Sequence, residues 1–226
     1  MSSVFPTTHA TLLLHTIVHD PAAAREHVLA RYLDPLCAYA RASTLRALGE
    51  PEELVHDFLA SRAAEASYLE RWASSGVPLR RWLANGLLMH ARNKAVAEAR
   101  RSRLGAGVEP GELDRLSATH EADAILALER AWAVRTMAEA YEQVRVELQS
   151  EGRAAWWELF RLHSIHGLAY AQACEAAGVA RSNATNVHRS VVGRLRAALT
   201  AILLRDGIRA DEIERELAQM QAFLEA

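Results

Sequence analysis

The stretch that indicates the fold most clearly is residues 167–189, GLAYAQACEAAGVARSNATNVHR. It is typical of a helix-turn-helix, in which two helices meet at a tight turn and a small residue lies where they nearly touch. Gly178 suits the left-handed conformation that such a turn requires, and Cys174, four positions earlier, is the small residue. Apolar anchors flank the turn on both sides: Ala173, Val179, Ala184 and Val187. The spacing predicts two short helices joined at Gly178, with these side chains buried.

The second helix of this motif carries polar side chains of the kind that contact base edges and phosphates in the major groove. They are Arg181, Ser182, Asn183, Thr185, Asn186 and Arg189. Residues 178–205 contain five arginines and no acidic residue. Ala180 stands where a capping serine or threonine is usual, which weakens the helix start. The pattern favours a DNA-reading motif, and an ordinary helical corner with a solvated arginine face stays the alternative.

Helical periodicity extends over the rest of the chain, and strand patterns are almost absent. A first helix is predicted from Pro21, with Asp20 as its cap, to just before Gly49. A second begins near Pro51, and a third covers about 79–103. These patterns together predict an all-α protein.

Charge is distributed unevenly along the 226 residues, whose formal net charge is only −2. That total argues against a free-standing polycationic nucleic-acid binder. However, residues 80–103 carry seven basic side chains against one acid, and residues 104–129 carry six acids against one arginine. The basic segments are therefore candidates for local nucleic-acid binding, and the acidic segment between them is a candidate linker.

These shifts in composition predict two small helical domains joined by a flexible acidic linker. The predicted bounds are 1–103 for the first domain, 104–128 for the linker, 129–205 for the second domain and 206–226 for a C-terminal helical extension. Asp211 is the predicted cap of that last helix. Its apolar stripe consists of Ile213, Leu217, Met220 and Leu224. This stripe is expected to pack on the second domain, on a regulator or on a second copy of the chain.

Several classes of protein are disfavoured by the sequence. Cys37 and Cys174 provide neither a disulfide framework nor a metal-binding spacing, and residues 1–20 lack the features of a signal peptide. We therefore expect a cytoplasmic protein without membrane insertion. No nucleophile is paired with a base, so we predict no enzyme, no catalytic residue and no cofactor.

The ten histidines do not predict a metal site. His163 and His166 are three apart, and His15 and His19 are four apart, but neither pair has an acidic or cysteine partner nearby in sequence. Polar tips on helices are the favoured explanation. His90 lies on an apolar helix face and is predicted to be a core histidine.

Four stretches in this order resemble the RNA polymerase sigma factors of the extracytoplasmic-function type. Residues 32–41, YLDPLCAYAR, resemble the first core helix of that family, and residues 51–58, PEELVHDF, resemble its polymerase-docking signature. Residues 79–93, LRRWLANGLLMHARN, resemble its −10-facing helix, and residues 157–199 its −35-binding region. The opening residues 5–8 and the acidic C-terminal helix further resemble a subgroup with a short C-terminal extension.

The resemblance implies that the protein has two partners, core RNA polymerase and promoter DNA. The helix after Gly49 would dock on the polymerase clamp through Glu52, Glu53, Leu54, His56, Asp57 and Phe58, and the second domain would meet the flap. A plain amphipathic surface helix is the alternative reading of this stretch. An anti-sigma factor or another regulator is a further partner that the resemblance allows.

The resemblance also implies two DNA contacts. The −10 element would be bound by Trp72, Arg80, Arg81, Arg92, Asn93, Lys94, Arg100 and Arg101, and the −35 element by the six polar residues of the helix-turn-helix. The loop at about 69–78 would capture a flipped base, with Trp72 either as the stacking surface or as a core residue. A polymerase-independent helix-turn-helix regulator and a sigma-like interaction adaptor are the alternatives to the sigma-factor hypothesis.

Overall fold

The protein is described by a computed structural model that covers residues 21–63, 65–102 and 119–225. Every regular element in these ranges is a helix, which confirms the all-α prediction. The chain divides into two compact units, one within residues 1–134 and 204–226 and the other within residues 135–203.

The first unit is built on three helices that pack together: α1 (Pro21–Ala42), α2 (Pro51–Phe58) and α4 (Leu79–Ser102). Its other elements are a 3-10 turn (Thr44–Ala47), a π-helical turn (Leu59–Ala63), α3 (Ala66–Ala73), the first part of α5 (Thr119–Ser150), a second 3-10 turn (Ala210–Glu212) and α9 (Ile213–Glu225). Apolar residues three and four apart place Tyr32, Leu36, Phe58, Leu83 and Leu87 in the core.

The second unit contains the rest of α5 together with α6 (Ala154–Phe160) and the π-helical turn that follows it (Arg161–Ile165). It continues with α7 (Tyr170–Ala177), a 3-10 turn (Arg181–Asn183) and α8 (Ala184–Arg205). Its core includes Leu159, Ala173, Cys174, Ala184 and Val187. The predicted helix-turn-helix elements are therefore present.

The predicted domain bounds differ from these units in two places. Helix α5 begins at Thr119, so residues 119–128 are helical where a linker was expected, and residues 103–118 lie outside the described part. The helix persists through acidic sequence because Ala124, Leu128 and Trp132 recur every four residues and are fully buried. The C-terminal extension belongs to the first unit, which was not one of the partners expected for its apolar stripe.

Two local predictions have further outcomes. The cap predicted at Asp211 is wrong, because the N-cap of the 3-10 turn is Arg209 and Asp211 lies inside that turn. The cap predicted at Asp20, the pair His15 and His19, and residues 5–8 lie outside the described residues. Both cysteines are free and buried. Among the described helices, none combines the length and hydropathy needed to cross a bilayer.

Candidate nucleic-acid interface

The turn of the helix-turn-helix has the predicted geometry. Gly178 ends α7 in the left-handed conformation, with φ 67° and ψ 29°. The amide of Val179 donates to the carbonyl of Cys174 over 2.9 Å, which closes the helix end. Three of the four predicted anchors, Ala173, Ala184 and Val187, are buried together with the small residue Cys174, and the fourth, Val179, is half-buried. Two features therefore fix the turn: the packing of its anchors and the left-handed conformation of Gly178.

All six side chains predicted to contact the −35 element are exposed. They are Arg181, Ser182, Asn183, Thr185, Asn186 and Arg189. The first three lie in the 3-10 turn, and Ala180 at its N-cap makes no side-chain cap, as the sequence predicted. Further along α8, Arg194 pairs with Glu147 and Glu151, so the basic charge of this helix is partly neutralised towards its C-terminal end. The exposed donors predicted to contact DNA lie at the start of the motif's second helix, and exposed positive charge continues along that helix at Arg196.

A second feature lies on α4 in the first unit, where side chains enclose a pocket of about 450 Å³. The lining residues are Phe58, Arg62, Tyr68, Arg71, Trp82, Asn85, Gly86, Met89, His90 and Asn93. Aromatic rings form the apolar wall, and amide and guanidinium groups supply hydrogen-bond donors. This combination of stacking surfaces and polar donors suits an unstacked nucleobase.

Gly86 allows the aromatic wall of this pocket to form. A Cβ atom at this position would lie 1.9 Å from the Tyr68 hydroxyl oxygen and 2.9 Å from Cζ of Phe58. The missing side chain therefore lets Tyr68 reach α4, where its hydroxyl donates to the carbonyl of Trp82 over 3.1 Å. Tyr68 contacts Phe58 edge to face at 5.9 Å between ring centroids. Burial raises the pKa of Tyr68, so the hydroxyl is protonated and remains a donor.

The indole of Trp82, another lining residue, has an unsatisfied polar atom. Its Nε1 is buried and has no hydrogen-bond acceptor among the described residues. A buried N–H without an acceptor costs free energy that a bound acceptor would recover. The pocket thus offers a stacking surface, and one of its lining residues carries a buried N–H that has no acceptor among the described residues.

Sequence reasoning selected Trp72 for base capture, but the structure buries this side chain. Trp72 is 3% exposed, and its Nε1 donates to the carbonyl of Val77 over 2.8 Å. The hypothesis that Trp72 is an exposed stacking surface is therefore wrong, and the alternative that it is a core residue is confirmed. The pocket residues Tyr68, Trp82, Asn85 and Met89 were missed, although 82, 85, 86, 89 and 93 recur along one face of α4.

The basic residues of α4 differ in availability. Arg80 is 5% exposed, donates to Glu129 over 2.6 Å, pairs with Glu216, and lies 4.0 Å from the ring centroid of Trp132. Arg81 also donates to Glu129, over 2.5 Å, and keeps 42% of its side chain exposed. The expectation that Arg80 is exposed to DNA is wrong in this structure. Arg92 is half-buried, Asn93 and Lys94 are exposed, and the side chains of Arg100 and Arg101 lie outside the described part.

Helix α2 presents the side chains predicted to dock on polymerase. Glu52, Glu53 and His56 are exposed, whereas Leu54 and Phe58 are buried and hold the helix in place. Pro51 occupies the first turn, where its missing N–H costs nothing, and the two glutamates complement the helix dipole.

Asp57 links α2 to α4. Its Oδ2 accepts from Lys94 Nζ over 2.7 Å and lies 3.2 Å from His90 Nε2. These hydrogen bonds, that from Lys94 first, lower the pKa of Asp57. His90 is half-buried and bonded to Asp57, so it is partnered as expected, though not fully buried.

Histidines of the second unit form a ring cluster rather than a metal site. His163 stacks on Tyr170 at 3.7 Å between centroids, and His188 hydrogen-bonds Ser164 through Nε2 over 2.9 Å. His166 contacts Arg161 instead. Across the described ranges, no three metal-ligating side chains converge on one point.

Comparison of the chain with models of known protein families, with curated proteins and with solved structures found no match.

Proposed function

We propose that the protein is a promoter-specificity subunit of bacterial RNA polymerase, a sigma factor of the extracytoplasmic-function type. The observation that carries the proposal is the helix-turn-helix of the second unit. Its anchors are buried or half-buried around a left-handed Gly178, and all six side chains predicted to contact DNA are exposed. Such a helix presents donors to the major groove, and in this proposal it contacts the −35 element.

The pocket on α4 supports the second half of the proposal, the opening of promoter DNA. A base that leaves the duplex loses stacking, and the enzyme or factor that captures it must replace that contact. Tyr68 and Trp82 supply ring surfaces, and Asn85 and Asn93 supply amide groups at the pocket edge. In the proposal this pocket receives a base of the −10 element, with Arg92 and Lys94 on the same helix near the backbone phosphates.

Helix α2 supplies the proposed contact with core polymerase. Its exposed Glu52, Glu53 and His56 stand on a buried apolar base, so the helix can carry polar contacts without loss of its own packing. Because the protein then acts only when bound to polymerase, its location in this proposal is the bacterial cytoplasm. An anti-sigma factor or other regulator would bind the same exposed surfaces.

The proposal is tested first by binding to core RNA polymerase, measured by competition with a labelled sigma factor. We expect the wild-type chain to compete and Glu53→Arg to weaken binding about tenfold, because a charge reversal opposes a basic partner surface. Glu70→Arg, an equally exposed glutamate on α3, is the matched control and should bind like the wild type.

Two outcomes would count against this account. If the wild-type chain does not bind core polymerase, the sigma-factor proposal fails, and tight binding of the isolated chain to duplex DNA would then favour a polymerase-independent regulator. If Glu53→Arg binds as well as Glu70→Arg, α2 is not the docking helix.

A further inference from the structure

The C-terminal segment, residues 204–225, docks on the first unit through contacts of three different kinds. The first is electrostatic. Asp206 accepts from Arg31 over 2.6 Å, and Glu216 pairs with Arg80, and all four side chains are buried. Buried charges require partners placed this closely, so the segment has a defined position rather than a loose association.

The second contact is steric. Gly207 follows α8 with φ 82°, and a Cβ atom there would lie 2.7 Å from Cζ2 of Trp72. The backbone of the segment therefore lies directly against the indole ring. Residues 207–212 also face the turn formed by Gly76, Val77 and Pro78, with which they line one cavity. The segment thus covers the Trp72 ring, whereas residues 74–77 of the loop before α4 stay exposed.

The third contact is apolar. Ile208, Ile213 and Met220 are buried, and they extend from the turn into α9. Leu224, at the end of the same stripe, is 37% exposed. The apolar contact thus extends from the turn through the first half of α9 and becomes weaker towards the end of the chain.

These contacts affect Arg80, which the sigma-factor resemblance assigns to the −10 element. The Glu216 carboxylate accepts from Nη2 of the Arg80 guanidinium, a group that otherwise could bind a phosphate oxygen. Glu129 takes the Nε donor of Arg80 and also pairs with Arg81. Glu129 and Glu216 therefore form ion pairs with the first two basic residues of α4, and Glu216 belongs to the C-terminal segment.

We propose that residues 204–225 are an autoinhibitory latch, which competes with nucleic acid for Arg80 and covers the Trp72 ring. The inference rests on the proposed function, because it assumes that this end of α4 faces DNA. In the latched state Glu216 keeps Arg80 from the DNA backbone, and release of the segment frees the Nη2 donor of Arg80 and exposes Trp72.

The test uses the full chain, two release variants and a fluorescent single-stranded 12-nucleotide DNA whose affinity is measured by anisotropy. Glu216→Lys releases the latch by repulsion from Arg80, and Gly207→Val releases it by collision with Trp72. The matched controls are Glu142→Lys, which makes the same charge change beside the surface residue Arg145, and Gly152→Val. Gly152 has φ 71° and open space around its Cβ position, so its variant reproduces the strain without the collision.

We expect each release variant to bind the DNA about fivefold or more tightly than its own control, which is the lower end of typical coupling between sites. Circular dichroism of each variant checks that its helices persist. Hydrogen exchange of residues 74–78 should be faster in the release variants than in the controls. Since Gly207→Val changes no charge, a gain in its affinity cannot come from added positive charge.

Equal affinities of variants and controls, with faster exchange in residues 74–78, would overturn the latch and leave the segment as a structural cap. If one release variant loses its helical signal, the DNA affinity of the other variant, compared with that of its own control, tests the latch. The proposed function is judged separately by core polymerase binding. If the wild-type chain does not bind core polymerase but the release variants bind DNA more tightly than their controls, the latch is supported and the sigma-factor proposal fails.

Discussion

Arg31 and Asp206 form an ion pair, with 2.6 Å between Nε and Oδ2, and each side chain is only 3% exposed. The two residues are 175 positions apart in sequence. The pair joins α1 to the turn after α8, so the start of the C-terminal segment is anchored to the first unit. Next to it, burial and the negative charge of Asp206 raise the pKa of Tyr32.

Removing one partner of this pair should strongly destabilise the first unit. We expect Asp206→Leu to lower the free energy of unfolding by about 3–5 kcal/mol, because Arg31 would remain buried without its acid. The double variant Arg31→Met/Asp206→Leu should recover most of that loss. Urea denaturation followed by circular dichroism measures both. The exposed pair Arg209 and Asp211 is the control, since Asp211→Asn should leave stability nearly unchanged. A loss for Asp206→Leu no greater than that of the control would contradict the role of the pair.

Gly86 and Gly193 lie inside helices and should respond to alanine in opposite directions. Gly86→Ala places a methyl group on the Tyr68 hydroxyl, so it should destabilise the first unit by about 1–3 kcal/mol and distort the pocket. Gly193→Ala meets no atom within 4 Å and should stabilise the second unit by about 0.5–1 kcal/mol. Thermal denaturation of both variants gives the sign of each change. A neutral Gly86→Ala would mean that Tyr68 does not pack against α4 as described.

Arg189 should contribute to DNA binding and not to folding. It is exposed on α8, six residues after the end of the 3-10 turn of the motif. We expect Arg189→Ala to weaken binding of the polymerase complex to promoter DNA about tenfold, with unchanged thermal stability. Arg145→Ala, which removes the same charge from a surface pair with Glu142, should bind like the wild type. Equal promoter affinity of the two variants would exclude a DNA contact for Arg189.

The second unit should lose stability in mild acid through His188. Burial, aided by the nearby His163, lowers the pKa of His188 below the ordinary value of 6.5. The unfolded chain therefore binds the proton first as the pH falls, and stability that is fully present above about 6.5 decreases below it. The urea concentration at the unfolding midpoint should be lower at pH 5.5 than at pH 7.5 for the wild type. This difference should be smaller for His188→Gln. His56→Gln, an exposed histidine of the first unit, should retain the wild-type difference. A wild-type difference retained in His188→Gln would assign the effect to another group.

The helix-turn-helix was predictable because its signals are local. Gly178 needs a left-handed conformation, Cys174 needs to be small, and the anchors follow helical spacing, so the sequence alone indicates which side chains are buried or exposed. The same holds for α2, where Pro51 and the spacing of Leu54, Val55 and Phe58 define both the helix and its buried face.

The features that the sequence did not reveal depend on contacts between distant residues. Trp72 is buried because Gly207 lies against it, and Arg80 is buried because Glu129 and Glu216 approach it from two other helices. No pattern within residues 69–81 contains that information. Similarly, Gly86 looked like an ordinary helical glycine, and only the position of Tyr68 reveals that it opens a pocket.

The central claim is most directly tested by run-off transcription from genomic DNA fragments with purified core polymerase, using the wild-type chain and Gly207→Val. The account predicts transcripts only when core polymerase and the chain are both present, with start sites that share a −35 and a −10 sequence, and with more product from Gly207→Val. No chain-dependent transcript from either form, with both forms folded, would contradict it.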